Sequence, residues 1–190
     1  MSLLNNSLWE VIKGSFQPEI WQRILPSLLD TLYMVVISSV IMLVLGLLLG
    51  VLLTVTNPSG LVPLKALYTC SGWIINCLRS LPQMIMIILM IPVARLFFGK
   101  SYGTNACIIA IAASCIPMYA RIVESSLLEI AKGKVEAAKS IGSTNPQIIF
   151  RILLPETIPS LIRGFTVAVI AILSMTALAG MFGAGGIGDI

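Results

Sequence analysis

The chain has 190 residues, of which 57% are hydrophobic and only 11% charged, and its mean hydropathy is +1.00. A soluble domain carries about a quarter charged residues, so this composition excludes a water-soluble globule and points to an integral membrane protein. The net charge is +4 and histidine is absent, which removes the commonest proton shuttle and metal ligand.

Met1 to Trp9 holds no basic residue, and no small-x-small cleavage site follows a short apolar run, so a secretory signal is not expected. Crossing about 30 Å of hydrocarbon takes roughly 20 apolar residues. The first segment to meet that need is about 31–56, inside an uncharged run from Thr31 to Leu64 that Asn57-Pro58-Ser59-Gly60 ends with turn chemistry. Within it, Gly46-x3-Gly50 suits close packing of another helix, although glycine is also common in membrane helices generally. The second span, about 73–94, contains Arg79 followed by Ser80-Leu81-Pro82. It starts either near Trp73, with Arg79 inside, or after Arg79, because an arginine near a helix end reaches the headgroups in both registers. Pro82 and Pro92 predict kinks, since each lacks the N–H that helix bonding needs.

The third span, about 101–120, is uncharged and closed by Arg121. The fourth, about 164–182, lies in an uncharged run from Gly164 to Gly188. Its end, Gly180 to Gly188, holds too much glycine to stay helical, at about 1 kcal/mol per glycine against alanine. Cys70, Cys77, Cys107 and Cys115 lie in or beside these apolar stretches. Their spacings suit one face of a helix rather than a C-x2-C metal clip, and free cysteine behaves as a small hydrophobe. No metal site is expected.

Orientation follows from the basic residues. Arg121, Lys132, Lys134, Lys139, Arg151 and Arg163 fall in the loop 121–163; Lys65 and Arg79 join them on one side, against Lys13, Arg23, Arg95 and Lys100 on the other. The positive-inside rule therefore puts that loop in the cytoplasm and the N-terminus outside, with the C-terminus outside as well after four spans.

Within the loop, Lys134 to Ile141 is expected to form a short helix that Gly142 stops in a left-handed cap. Ser143-Thr144-Asn145-Pro146 starts a second helix with an oxygen-bearing cap and an early proline. Ile148, Ile149, Ile152 and Leu153 give it an apolar face, and Pro155 and Pro159 are expected to break it before the fourth span. Val135, Ala138 and Ile141 would offer a small apolar surface ringed by Lys134, Glu136 and Lys139. By periodicity alone, such a helix pair suits lipid headgroups or a protein partner equally.

The spacing Glu136-Ala137-Ala138, Gly142, then Ile152-x-Leu154-Pro155 decides between them. It resembles the cytoplasmic loop signature of membrane subunits of ABC importers. Arg79-Ser80-Leu81-Pro82, Ala120-Arg121-Ile122-Val123-Glu124, Leu127-Leu128-Glu129-Ile130 and Gly183-Ala184-Gly185-Gly186-Ile187-Gly188 narrow the resemblance toward permease subunits of bacterial methionine importers, from about Leu28 to the end. The resemblance implies an all-α, polytopic membrane helical bundle of the type I importer kind, with four spans and a cytoplasmic coupling loop in the bacterial inner membrane. It implies a homodimer of permeases, two copies of an ABC ATPase that holds ATP and magnesium, and an external substrate-binding lipoprotein. This chain itself would bind no cofactor and no nucleic acid, and would not be an enzyme. Carried over by position, Glu136, Ala137, Ala138, Gly142, Ile152, Leu154 and Pro155 would dock the ATPase, Glu136 as polar anchor and Gly142 as bend. Ser174, Met175, Thr176 and Gly180 would line the substrate path, although helix packing suits Met175 as well. The family usually has a further span after the glycine-rich segment, where this chain ends at Asp189-Ile190.

Rival readings fit less well. Ala94-x4-Gly99-Lys100-Ser101 matches a relaxed phosphate-loop pattern, but Leu96, Phe97 and Phe98 fill it where small residues are needed. An intramembrane enzyme needs acids or histidine within the spans, and their apolar centres hold none. A permease for another small amino acid remains open, as does a non-transport membrane scaffold, which would have no use for the loop signature.

Overall fold

The computed structural model describes residues 18–100 and 103–189. The reading of Met1 to Trp9, the place of Lys13 in the charge balance, and Ser101 and Ile190 lie outside the described residues. Everything regular among those described is helical: α1 (Pro18–Thr56), α2 (Lys65–Ser80), α3 (Gln83–Phe98), α4 (Thr104–Leu128), α5 (Lys132–Ser140), α6 (Asn145–Ile148), a π-helical turn (Ile149–Leu153), α7 (Leu154–Gly180) and a 3-10 turn (Ile187–Asp189). Three of these stretches are long and apolar enough to cross a membrane, or four if the bent pair α2 and α3 counts as one span.

At 1.5 Å per residue, α1 is roughly 58 Å long, about twice the hydrocarbon thickness, so its N-terminal turns extend beyond the span expected at 31–56. Its end is built as the turn residues dictate. The Ser59 N–H donates to Asn57 Oδ1 at 2.9 Å, and the Gly60 N–H to the Asn57 carbonyl at 2.7 Å. The Val62 and Leu64 N–H groups then return to the carbonyls of Val55 and Thr56.

α4 is the central helix, packed by α1, α2, α3 and α7. Gly46 and Gly50 form the α1 side of a close crossing. A Cβ on Gly46 would stand 2.8 Å from Tyr119 Cδ1, and one on Gly50 would stand 2.5 Å from Val123 Cβ and 2.7 Å from the Ala120 carbonyl oxygen. On its other flank α4 meets α7, with the Cys115 thiol 3.5 Å from Met175 Sδ and the Tyr119 ring edge-on to Phe165 at 6.1 Å between centroids. Met34, Met42, Ile111, Tyr119, Ile172 and Met175 are buried in this core. Cys107 and Cys115 are buried with them, whereas Cys70 and Cys77 on α2 face outward.

Two expectations are corrected. The segment 73–94 is not one kinked helix: α2 and α3 meet at 112°. Leu81 is extended (φ −79°, ψ 135°) because the residue before a proline is driven out of the helical region; the helix therefore stops at Ser80 and restarts after Pro82, while Pro92 is carried inside α3. The third helix continues beyond the span expected at 101–120 and runs to Leu128, with Arg121 and Glu124 paired on it. Finally, Pro155 and Pro159 do not break the chain before the fourth span. The π turn ahead of Pro155, with the Leu154 N–H bonded to the Ile149 carbonyl, widens the helix where the proline ring would otherwise strike the carbonyl four residues back. The long loop thereby shrinks to the residues between Leu128 and Asn145.

The Gly180–Gly188 stretch leaves the helix at Gly180, as its composition predicts, and folds back as a cap. The Gly103 N–H donates to the Gly183 carbonyl (3.0 Å), Thr104 Oγ1 to the Ala184 carbonyl (3.1 Å), and the Ile187 N–H to Thr31 Oγ1 (2.9 Å). This cap joins the ends of α4 and α7 to the side of α1. In the phosphate-loop pattern, Ala94 to Phe98 is helix and the Gly99 N–H closes it on the Arg95 carbonyl (2.8 Å), so there is no open loop of N–H groups to cradle a phosphate.

Candidate functional site

α5 and the turn after it follow the end of α4 that lies opposite the cap. Lys134 of α5 pairs with Glu156 in the first turn of α7, which fixes the short helix against the long one. α5 ends in a Schellman motif: the Gly142 N–H donates to the Lys139 carbonyl (3.0 Å) and the Ser143 N–H to the Ala138 carbonyl (3.1 Å). Gly142 sits at φ +81°, a conformation that costs a Cβ-bearing residue roughly 1 kcal/mol or more. Thr144 then caps α6, its N–H bonded to Gln147 Oε1 at 2.9 Å, and Pro146 occupies the first turn. The glycine bend and fresh helix start are thus built as their residues predict.

The apolar surface differs from expectation. Val135 and Ala138 are three residues apart on one helical face, and that face turns inward: Ala138 is 4% exposed and shares the core with Leu127, Ile148 and Leu153. Ala138 therefore offers no surface to a partner in this arrangement. The outward face carries Glu136, Ala137, Lys139 and Ser140, and continues onto Ile141 and Gly142. Ile141 is 84% exposed, and Phe150, which the sequence reading passed over, is 69% exposed. Its signal was available: an aromatic residue off the stripe of Ile148, Ile149, Ile152 and Leu153 has nowhere to go but outward. Ile152 and Leu154 are half-buried and Pro155 exposed, so the last part of the signature shapes the π turn and the start of α7. Beside the outward face lies a cleft of about 140 Å³ between the turn after α1 and α5, lined by Thr54, Leu61, Leu127, Val135 and Glu136.

The second group of residues sits far up α7, about 30 Å from Leu154 at 1.5 Å per residue. Met175 and Thr176 are buried, and Gly180 is packed on the Gly188 backbone. Only Ser174 faces outward, its hydroxyl donating to the Ile170 carbonyl at 3.1 Å. The structure does not bring the two groups together; α7 is the rod between them. Among the described residues, no three Cys, Asp or Glu side chains converge to hold a metal ion.

Residues 46–190 match the family described as "Binding-protein-dependent transport system inner membrane component". The chain is 40% identical over 173 residues to a probable D-methionine transport system permease protein MetI of Pasteurella multocida, a match covering 91% of this chain and 80% of that protein. It is 42% identical over 172 residues to the methionine import system permease protein MetP of Bacillus subtilis, covering 90% and 76%. Among solved structures it is similar to a chain of the MetNI methionine ABC transporter in inward-facing conformations, with a TM-score of 0.88, 36% identity, and 92% and 81% coverage. An amino acid ABC transporter solved with histidines shares the fold at a TM-score of 0.74 and 17% identity, covering 95% of this chain and 78% of that one.

Proposed function

Because the chain belongs to the family of binding-protein-dependent transport system inner membrane components, we propose that it carries methionine across the membrane as the permease subunit of an ATP-driven importer. As a transport permease it crosses the inner membrane several times. Methionine is the cargo named for relatives about 40% identical over most of the chain. The single observation that carries the mechanism is the outward face of α5, which is held by the packing of Val135 and Ala138 into the core and by the Schellman turn that ends the helix.

In this reading Glu136, Ala137, Ile141, Gly142 and Phe150 meet a cleft on a separate ATPase, which holds ATP and magnesium. Glu136 is the polar anchor, and the apolar contact comes from Ile141 and Phe150. Two permease copies and two ATPases assemble, and an external lipoprotein delivers substrate to the cap end. Closure of the ATPases pushes α5, and α7 transmits the movement toward Ser174. The likeness to a transporter solved in inward-facing conformations supports reading the present arrangement as inward-facing, with the α5 end in the cytoplasm.

Purified with its ATPase and reconstituted in liposomes with the lipoprotein, the complex is expected to take up radiolabelled methionine only with ATP, and unlabelled methionine is expected to compete where other small amino acids do not. Equal competition by an unrelated amino acid overturns the cargo. Glu136→Lys and Gly142→Pro are expected to lower ATPase pull-down at least about tenfold while the protein remains membrane-inserted; undiminished binding and uptake in both overturns the docking role.

A further inference from the structure

Inside the fold, two helical turns before the docking loop, α4 carries a charged pair that the proposed transport mechanism does not yet use. Arg121 Nη1 donates to Glu124 Oε2 at 2.6 Å, with side-chain exposures of 19% and 5%. Arg121 Nη2 crosses to α2 and donates to the Gly72 carbonyl at 3.0 Å. A Cβ at Gly72 would stand 3.0 Å from the same nitrogen. The network is incomplete: Arg121 Nε and Glu124 Oε1 are buried with no partner.

A buried ion pair whose remaining polar atoms are unsatisfied contributes little net stability, and well-packed apolar residues of similar size serve the fold as well or better. Spare hydrogen-bonding capacity on both members does allow a second arrangement of the same groups. α2 is left through the break at Leu81-Pro82, so its C-terminal end is not continuous with α3.

On the importer reading, with the present arrangement inward-facing, we propose that Arg121, oriented by Glu124, is a positioning residue that latches α2 to α4 in the inward-facing state. Release of the Gly72 carbonyl accompanies the switch outward. Because α4 runs directly from Glu124 into the docking loop, a push on α5 reaches the latch through less than two turns of helix. The latch biases a two-state equilibrium by differing between the states, so its loss raises the population of the other state.

Two variants test this in the complete complex with its ATPase and lipoprotein. Arg121→Lys keeps a charge for Glu124 but loses the fork that reaches two partners at once. Arg121→Met with Glu124→Leu removes both charges and keeps the volume. Both are expected to bind the ATPase and to melt within a few degrees of the unaltered complex. Substrate-free ATP hydrolysis should rise at least about fivefold, the lower end of typical coupling between sites, and methionine taken up per ATP should fall correspondingly. An unchanged uptake-to-hydrolysis ratio in either assembled variant overturns the latch. Failure of both variants to assemble also overturns it, by making the pair an obligate part of the fold. If the unaltered complex shows no ATP-driven methionine uptake, the importer reading itself has failed.

Discussion

Gly50 lies so close to α4 that a single methyl group would press on Val123 and on the Ala120 carbonyl. Without a hydrophobic driving force between helices in lipid, such crossings depend on close van der Waals packing. Gly50→Leu is therefore expected to destabilise by about 1–3 kcal/mol, the usual cost of overpacking, read as a lowered melting temperature in detergent. Met175 and Ser174 are neighbours on α7 with opposite surroundings, one fully buried beside Cys115 and one outward-facing. Met175→Ala should cost about 2–5 kcal/mol through the cavity it leaves, whereas Ser174→Ala should leave stability within about 0.5 kcal/mol. Equal effects would mean that α7 is rotated from the orientation described. The resemblance named both by position, and position along a helix does not say which face a neighbour covers.

At the scale of elements, α5 turns Val135 and Ala138 inward and leaves Glu136 and Ala137 on its outward face. This leaves Ile141 and Phe150 as strongly exposed large apolar groups beside that face, and a few side chains carry most of the energy in an interface. Ile141→Asp and Phe150→Asp, each at an exposed site, are expected to leave the melting temperature unchanged while reducing ATPase capture at least about tenfold. Capture at the unaltered level in both would move the docking surface elsewhere on the loop. The glycine turn and the Thr144 start were legible because they rest on bonds within a few residues. Burial of Ala138 was not, because it depends on Leu127 and Leu153 arriving from two other elements. The 112° break was half legible: Pro82 announces an interruption, but its angle depends on what α2 and α3 pack against.

For the molecule as a whole, the α5 end and the glycine-rich cap bracket a bundle centred on α4. The cap links α1 to the rest through Thr31, whose Oγ1 donates to the Ser27 carbonyl and accepts the Ile187 N–H. Thr31→Val keeps the shape and removes that acceptor. A donor left unpaired costs about 1–3 kcal/mol, so the variant is expected to melt lower and to be cleaved faster by protease within 181–189; cleavage at the unaltered rate would mean that the cap is held by its other bonds alone. The apolar residues exposed on α1, among them Leu29, Val36 and Leu48, suit the hydrocarbon of a bilayer.

Composition and hydropathy determined that the chain lives in a membrane, and short-range chemistry determined its turns, its first helix end and the helix-bend-helix form of the loop. These features depend on transfer free energy and on bonds closed within a few residues. Tertiary structure alone decided which loop residues face outward, that Arg121 and Glu124 lie inside the fold with a grip on α2, and that the glycine-rich end closes over three helices. Each of those depends on groups distant in sequence meeting in space, and a linear pattern holds no record of which neighbour arrives.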